Sequence, residues 1–396
     1  MSGRSEATVT HVPTRDRQLD LLYSETETEL RAAVREVLAD NAGWRDVLAR
    51  TETAETYDTR LWHTLAAEVG VAGLLIPESL GGAGASYREA AVVAEEIGRS
   101  VAPVPFLGSA VVATTALLSA ADTELLTELA SGSVTAALAV PFATAPGKVP
   151  APTIRIEGTQ PKDPAGTYRL SGQVLGVADA LPADVLLVPA DGVPYGLYAV
   201  RVTDAGVGTA PVVSLDQTRQ LCDLTLAGAR ARRVASGAVA EAALGAAVLA
   251  GAGVLACEQF GLAERALEIT VAYVQERRQF ARPIGGFQAI KHRLADLWVA
   301  VTLARAAARS AANGLVNDNG TETELAVALA KAACSDTALK AAQEMIQLHG
   351  GIGFTWEHPA HLFLKRAKAD SIGFGTADAH RASLARLVNL PPPPAG

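Results

Sequence analysis

Between residues 134 and 233 the sequence changes its period, and afterwards it changes back. From Glu25 to Leu129 apolar residues recur at spacings of three and four: "ETELRAAVREVLAD" places Leu30, Val34 and Leu38 on one face, and "REAAVVAEEIGR" repeats the pattern. The break between them, "IPESLGGAGASYRE", sets Ser86 three residues before Glu89, the spacing of a capping box that opens the next helix. After "ASGSVTAAL" come short β-prone runs, "TYRLSGQVLGV", "DVLLVPAD", "YGLYAVRV" and "CDLTLAGARA". From Ala238 helical periodicity returns. It is interrupted by Pro283 to Gly286 and by a loop before a second expected capping box, Thr321 with Glu324. A chain patterned this way is expected to be α+β and multidomain: an N-terminal helical domain over 1–133, a middle β-sandwich or barrel over 134–233, and a four-helix-bundle-like C-terminal domain over 234–396.

Length agrees, since 396 residues exceed what one hydrophobic core usually holds. With 49% hydrophobic and 19% charged residues the chain is not of the disordered class. No apolar run comes near the roughly 20 residues that span a bilayer, so no membrane span is expected. The start "MSGRSEATVTHVPTRD" lacks the apolar centre of a secretory signal, and a cytoplasmic location follows as the expectation. Cys222, Cys257 and Cys334 are far apart, which suits buried free thiols better than disulfides or a metal site. A net charge of −8 gives no general attraction for phosphate backbones, and nucleic acid is not an expected partner.

The stretch "IGFGTADAH" invites a dinucleotide-fingerprint interpretation. That requires a preceding strand and a small residue three positions after the second glycine, whereas Asp378 stands there and "HLFLKRAKADS" before it is helical. Two other stretches carry more: "ERRQFARPIGGFQ" and "QLHGGIGFTWEHPAHLFLKRAKAD". They resemble the flavin-binding signatures of the acyl-CoA dehydrogenase family, and "VAGLLIPESLGGAGASYREAAVVAEEIGR" resembles that family's N-terminal domain. The order helix, β, helix agrees along nearly the whole chain.

The resemblance implies FAD as cofactor, an acyl-CoA as substrate and an electron-transfer flavoprotein as acceptor. It implies that Arg277, Phe280 and Gln288 reach the FAD of a neighbouring subunit, that Gln347, Gly350 and Gly351 approach the same dinucleotide, and that Thr376 contacts cofactor next to the active site. The residue types suit those roles: a planar, permanently charged guanidinium matches a diphosphate, and glycines let backbone N–H groups come close. Without the resemblance, Phe280 is equally a core residue, and Gly350 with Gly351 a helix C-cap.

The family removes an α-proton with a glutamate while the β-hydrogen leaves as hydride to the flavin. That glutamate most often sits where this chain reads Gly373-Phe374-Gly375-Thr376, and in some relatives ten residues before a Gly-Leu pair, which here is Gly251. Neither Phe374 nor Gly251 accepts a proton, so no catalytic residue is expected at either place. Asp378 and Glu258 lie one and two turns beyond those positions. The β-region stretches that wrap the flavin ring and thioester are replaced by "ALAVPFATAPGK" and "LSGQVLGVADA". The resemblance is therefore closest to degenerate partner subunits of heteromeric acyl-CoA dehydrogenases of actinobacterial steroid side-chain breakdown. It implies an α2β2 assembly with a homologous chain that supplies the glutamate. Two alternatives stay open: a self-sufficient homotetramer with a displaced base, Glu258 or Asp378, and a non-redox acyl-CoA-binding scaffold.

Overall fold

The computed structural model describes residues 21–147, 151–157, 166–192 and 194–391. The expected leaderless start and nearly all of the expected frayed tail "PPPPAG" lie outside them. The N-terminal helices are α1 (Glu25–Asn41), α2 (Trp44–Thr51), α3 (Thr59–Thr64), α4 (Tyr87–Ser100), α5 (Thr114–Ala120) and α6 (Thr123–Ala130), with a π-helical stretch at Phe106–Ala113 leading into α5. The capping box expected at Ser86 is present. Glu89 Oε2 accepts from the Ser86 N–H at 2.9 Å, while Ser86 Oγ accepts from the Arg88 N–H at 3.2 Å. Two donors that the helix itself leaves unpaired are thereby satisfied.

The middle region holds β1 (Ala136–Leu138), β2 (Ile154–Ile156), β3 (Tyr168–Ala178), β4 (Val185–Ala190), β5 (Gly196–Arg201), β6 (Val207–Pro211) and β7 (Leu221–Ser236). The strand order is β1-β4-β5-β7-β3-β2, with β6 also on β7, and among the pairs of described strands only β1–β4 is parallel. The C-terminal end of β7, Arg232–Ser236, pairs with β5, whereas the longer stretch before it pairs with β3 and β6, so the sheet folds over on this one long strand. Leu170, Leu186, Val188, Tyr198, Leu224 and Leu226 from both halves then share a core of their own. The runs expected as strands correspond to β3, β4, β5 and β7. Strands β1, β2 and β6, which are short, were not anticipated.

The C-terminal helices are α7 (Ala238–Glu276), α8 (Gln288–Asn317), α9 (Thr321–His349), α10 (Ala360–Asp370) and α11 (Ala377–Leu387), and a hairpin of β8 (Arg278–Gln279) and β9 (Arg282–Pro283) joins α7 to α8. Helices α7, α8 and α9 pack on one another, with α11 on α9. The Thr321/Glu324 capping box is not formed: Gly320, at φ 57°, is the N-cap and no side chain closes the end. Helix α7 is long and apolar enough to cross a bilayer, which corrects the expectation that no apolar run approaches that length. Most of that apolar stretch is buried against α4, α8 and α9, so its apolar character is that of a core helix.

Two glycines let α4 and α7 cross in contact. A Cβ on Gly98 would lie 2.1 Å from Glu258 O, and one on Gly261 would lie 2.0 Å from Glu95 O. Any side chain at either place would push the helices apart, and that crossing sets Glu258 at the junction of all three regions.

Candidate functional site

The two positions where a base was sought face each other. Phe374 follows α10 in a tight turn. It has φ 50°, a conformation that strains a residue with a Cβ, and lies between Gly373 and Gly375. Its N–H donates to Phe142 O at 2.7 Å, and its own carbonyl accepts from His380 Nε2 at 2.8 Å. These bonds hold the ring over Gly251 on α7, where an added Cβ would come within 2.7 Å of Phe374 Cζ. Phe142 meets the same ring edge to face, centroids 5.5 Å apart. Phe374 is 5% exposed.

The space left is a cavity of about 20 Å³ lined by Leu107, Val112, Leu138, Val140, Phe142 and Asp179 among others, room for about one water. Asp179 is the one acidic residue among its described lining, and both its oxygens are engaged. Oδ1 accepts from the Tyr57 hydroxyl at 2.6 Å and Oδ2 from the Gly108 N–H at 2.8 Å. Burial pushes the Tyr57 hydroxyl well above its usual range, so it stays a donor.

Behind Phe142 lies a buried ion cluster that sequence inspection missed. The Arg219 guanidinium faces the Phe142 ring at 5.7 Å and donates to Glu258 Oε2 at 2.7 Å and Asp370 Oδ1 at 2.6 Å. Arg366 donates to Glu258 Oε1 at 2.8 Å and to Thr218 Oγ1 at 2.7 Å, with Asp216 at 3.5 Å. Lys331 Nζ donates to Ser335 Oγ and to Asp370 O, each at 2.9 Å. Burial alone would raise the Glu258 carboxyl, but Arg219 and Arg366 bring it below the usual carboxylate range. Glu258 is therefore an ionised anchor with both oxygens occupied. Asp378 is exposed on the first turn of α11 and pairs with Arg381 at 3.0 Å. Neither has the disposition of a displaced base.

The residues expected to approach a cofactor lie at two separate places. Arg277, Phe280 and Gln288 are all exposed around the β8–β9 hairpin, and Phe280 is 86% exposed, so it is not a core residue. Phe280 and Ala281 have φ 53° and 62°, a tight turn that projects the Phe280 ring outward. The structure brings this hairpin beside the end of α9, where Gln347, Gly350 and Gly351 are also exposed, through a contact of Tyr273 with His349. Added Cβ atoms at Gly350 and Gly351 would meet nothing within 4 Å; Gly350, at φ 60°, follows the last residue of α9. Arg277 and Arg278 form no ion pair with a described residue. Thr376 is not with them. It caps α11, accepting from the Ala379 N–H at 3.3 Å next to Phe374.

The residues present thus fit an anionic dinucleotide at the hairpin and not a flavin ring beside Phe374. Among the described residues no group of three or more His, Cys, Asp or Glu side chains converges as a metal site would. Cys222, Cys257 and Cys334 are free and buried, and burial raises each thiol.

Residues 24–133 match the family described as Acyl-CoA dehydrogenase, N-terminal domain, and residues 240–388 match Acyl-CoA dehydrogenase, C-terminal domain. Acyl-CoA dehydrogenase IpdE2 of Mycobacterium tuberculosis is 37% identical over 340 residues, 85% of this chain and 89% of the relative. A variant of the Tcur3481–Tcur3483 steroid ACAD superposes with a TM-score of 0.79 at 31% identity, covering 92% of this chain and 98% of that one. The ChsE4–ChsE5 complex from Mycobacterium tuberculosis superposes with a TM-score of 0.82 at 27% identity, covering 94% and 100%.

Proposed function

The chain belongs to the acyl-CoA dehydrogenase family, and on that premise we propose that it is the non-catalytic subunit of a hetero-oligomeric, FAD-dependent acyl-CoA dehydrogenase. A homologous chain supplies the proton-abstracting glutamate and the acyl-CoA pocket. The observation that supports this most is the packing of Phe374 over Gly251: both places available for a base lack one, and the ring occupies the room an acyl group would need.

FAD, when bound, supplies the hydride acceptor for α,β-dehydrogenation of an acyl-CoA. What this chain contributes is binding and orientation. Arg277 has no described ion-pair partner and offers its fork of donors to the diphosphate. Phe280 offers an exposed flat face, and Gln288, at the first turn of α8, offers both a donor and an acceptor. Gly350 and Gly351 leave the backbone open to close approach. On its own side the chain excludes substrate: Phe374, Phe142 and the Arg219 cluster behind them form a closed wall.

Similarity to the Tcur3481–Tcur3483 steroid ACAD supports a sterol-like acyl group, and similarity to the two-component ChsE4–ChsE5 complex supports a hetero-oligomer. The displaced-base alternative loses its chemistry to the engagement of Glu258 by two arginines. The test is to express the chain alone and together with its homologous partner, then measure bound flavin and acyl-CoA dehydrogenation. The chain alone is expected to carry little flavin and no activity, and the co-expressed pair to be yellow and active. A yellow, active homo-oligomer overturns the proposal.

A further inference from the structure

We propose that a three-ring stack, Tyr273–His349–His358, is a positioning device. It fixes the β8–β9 hairpin against the Gly350–Gly351 turn so that the two segments meet a neighbouring subunit's dinucleotide as one preformed surface. The proposal rests on the assignment of Arg277, Phe280 and Gln288 to a site across an interface.

The rings come from three segments. Tyr273 lies in the last turn of α7, His349 is the last residue of α9, and His358 lies in the loop before α10. Tyr273 and His349 stack with centroids 4.2 Å apart at 27°, and His349 and His358 follow at 4.1 Å and 37°. The Tyr273 hydroxyl donates to His349 O at 3.3 Å. The hairpin hangs from the same turn of α7, because the Arg277 N–H donates to Tyr273 O at 2.9 Å and the Ile284 N–H to Arg277 O at 2.8 Å. The Gly350 turn begins at the residue after the central ring. One stack therefore joins the roots of both exposed segments.

His349 is used as a flat ring. Its Nδ1–H donates to Met345 O at 2.6 Å, and Nε2 is buried without a hydrogen-bond partner. Burial lowers the pKa of His349 and brings His358 to about 4, so both rings are neutral at pH 7 and their close stacking carries no charge repulsion. Preorganised surfaces bind more tightly because less ordering accompanies binding.

The test uses the assembled complex of this chain with its homologous partner, with FAD as the titrant and hydrogen exchange at the hairpin amides as the second readout. His349→Ala is expected to weaken FAD binding about tenfold, the scale on which misplaced supporting groups act, and to speed exchange at the Arg277 and Ile284 amides. His349→Phe, which keeps a flat ring while removing both the unpartnered Nε2 and the Nδ1–H bond to Met345 O, is expected to retain wild-type values. Tyr273→Leu removes the stack from the α7 side and keeps the test available if His349→Ala fails to fold. Unchanged FAD affinity and exchange in both disruptive variants overturn the positioning role, as does failure of His349→Phe to hold FAD. Arg277→Ala separates the two levels: full FAD retention in that variant overturns the underlying assignment, whereas its loss beside unaffected stack variants overturns the stack alone.

Discussion

Gly251 and Phe374 occupy one space: the glycine's missing Cβ is where the phenylalanine ring stands, with Cζ only 2.7 Å from the position a Cβ would take. Gly251→Ala is therefore expected to destabilise by about 1–3 kcal/mol through overpacking, although a glycine-to-alanine change inside a helix ordinarily stabilises by about 0.5–1 kcal/mol. Combining it with Phe374→Leu is expected to return much of the loss, giving a coupling of about 1 kcal/mol or more between the two sites. Urea-denaturation midpoints of the two single variants and the double variant check this. A stabilised Gly251→Ala would show that the ring is free to move aside.

The Arg219 cluster predicts a larger loss. Arg219→Met leaves Glu258 Oε2 and Asp370 Oδ1 buried without their donor, and removing one partner of a buried pair costs about 3–5 kcal/mol. Because Arg219 also backs Phe142, the same variant is expected to loosen the wall around Phe374. Thermal melting reports the first effect. The second appears as faster exchange at the Phe374 amide, which donates to Phe142 O.

Helix and strand periods and the Ser86 cap were legible because each is a local pattern. The ion cluster was not, because Asp216, Arg219, Glu258, Lys331, Arg366 and Asp370 come from separate segments and mean nothing until α7, α9, α10 and the loop before β7 converge. Phe374 was legible as a missing base and not as a filled cavity, since its neighbour Phe142 lies in a distant loop. The Thr321 cap failed for a local reason: Gly320, at φ 57°, takes the N-cap position itself. Strands β1, β2 and β6 were missed because three to five residues carry too short a pattern to separate from loop.

His380 gives the acid limb of stability a specific source. Burial lowers its pKa to about 4, and its Nε2–H is committed to Phe374 O. A histidine depressed in the fold takes up a proton more readily when unfolded, so its contribution is complete above the unfolded value near 6.5 and is lost as pH falls toward 4. Within that window the slope approaches about 1.4 kcal/mol per pH unit for one such group. His380→Gln keeps a donor for the Phe374 carbonyl and cannot titrate. The expected outcome is a smaller drop in melting temperature between pH 7 and pH 5 than in the parent, and an equal drop would remove His380 as the cause.

Placing an acid at position 374 is expected to leave the lone chain inactive. Phe374→Glu places a carboxyl where the family keeps its base, but it enters a cavity bounded by Phe142, Leu138 and Val140 and backed by carboxylates already committed to Arg219 and Arg366. With no described cation free to pair with it there, the new carboxyl is expected to remain protonated at neutral pH through desolvation. The variant chain purified alone is accordingly expected to remain colourless and inactive toward acyl-CoA, and the co-expressed complex to keep the flavin content and turnover of the parent complex. Flavin absorbance and dye-linked turnover on both preparations decide the matter. Appearance of activity in the lone variant would mean that a single side chain, and not the whole closed wall, separates this chain from a self-sufficient dehydrogenase.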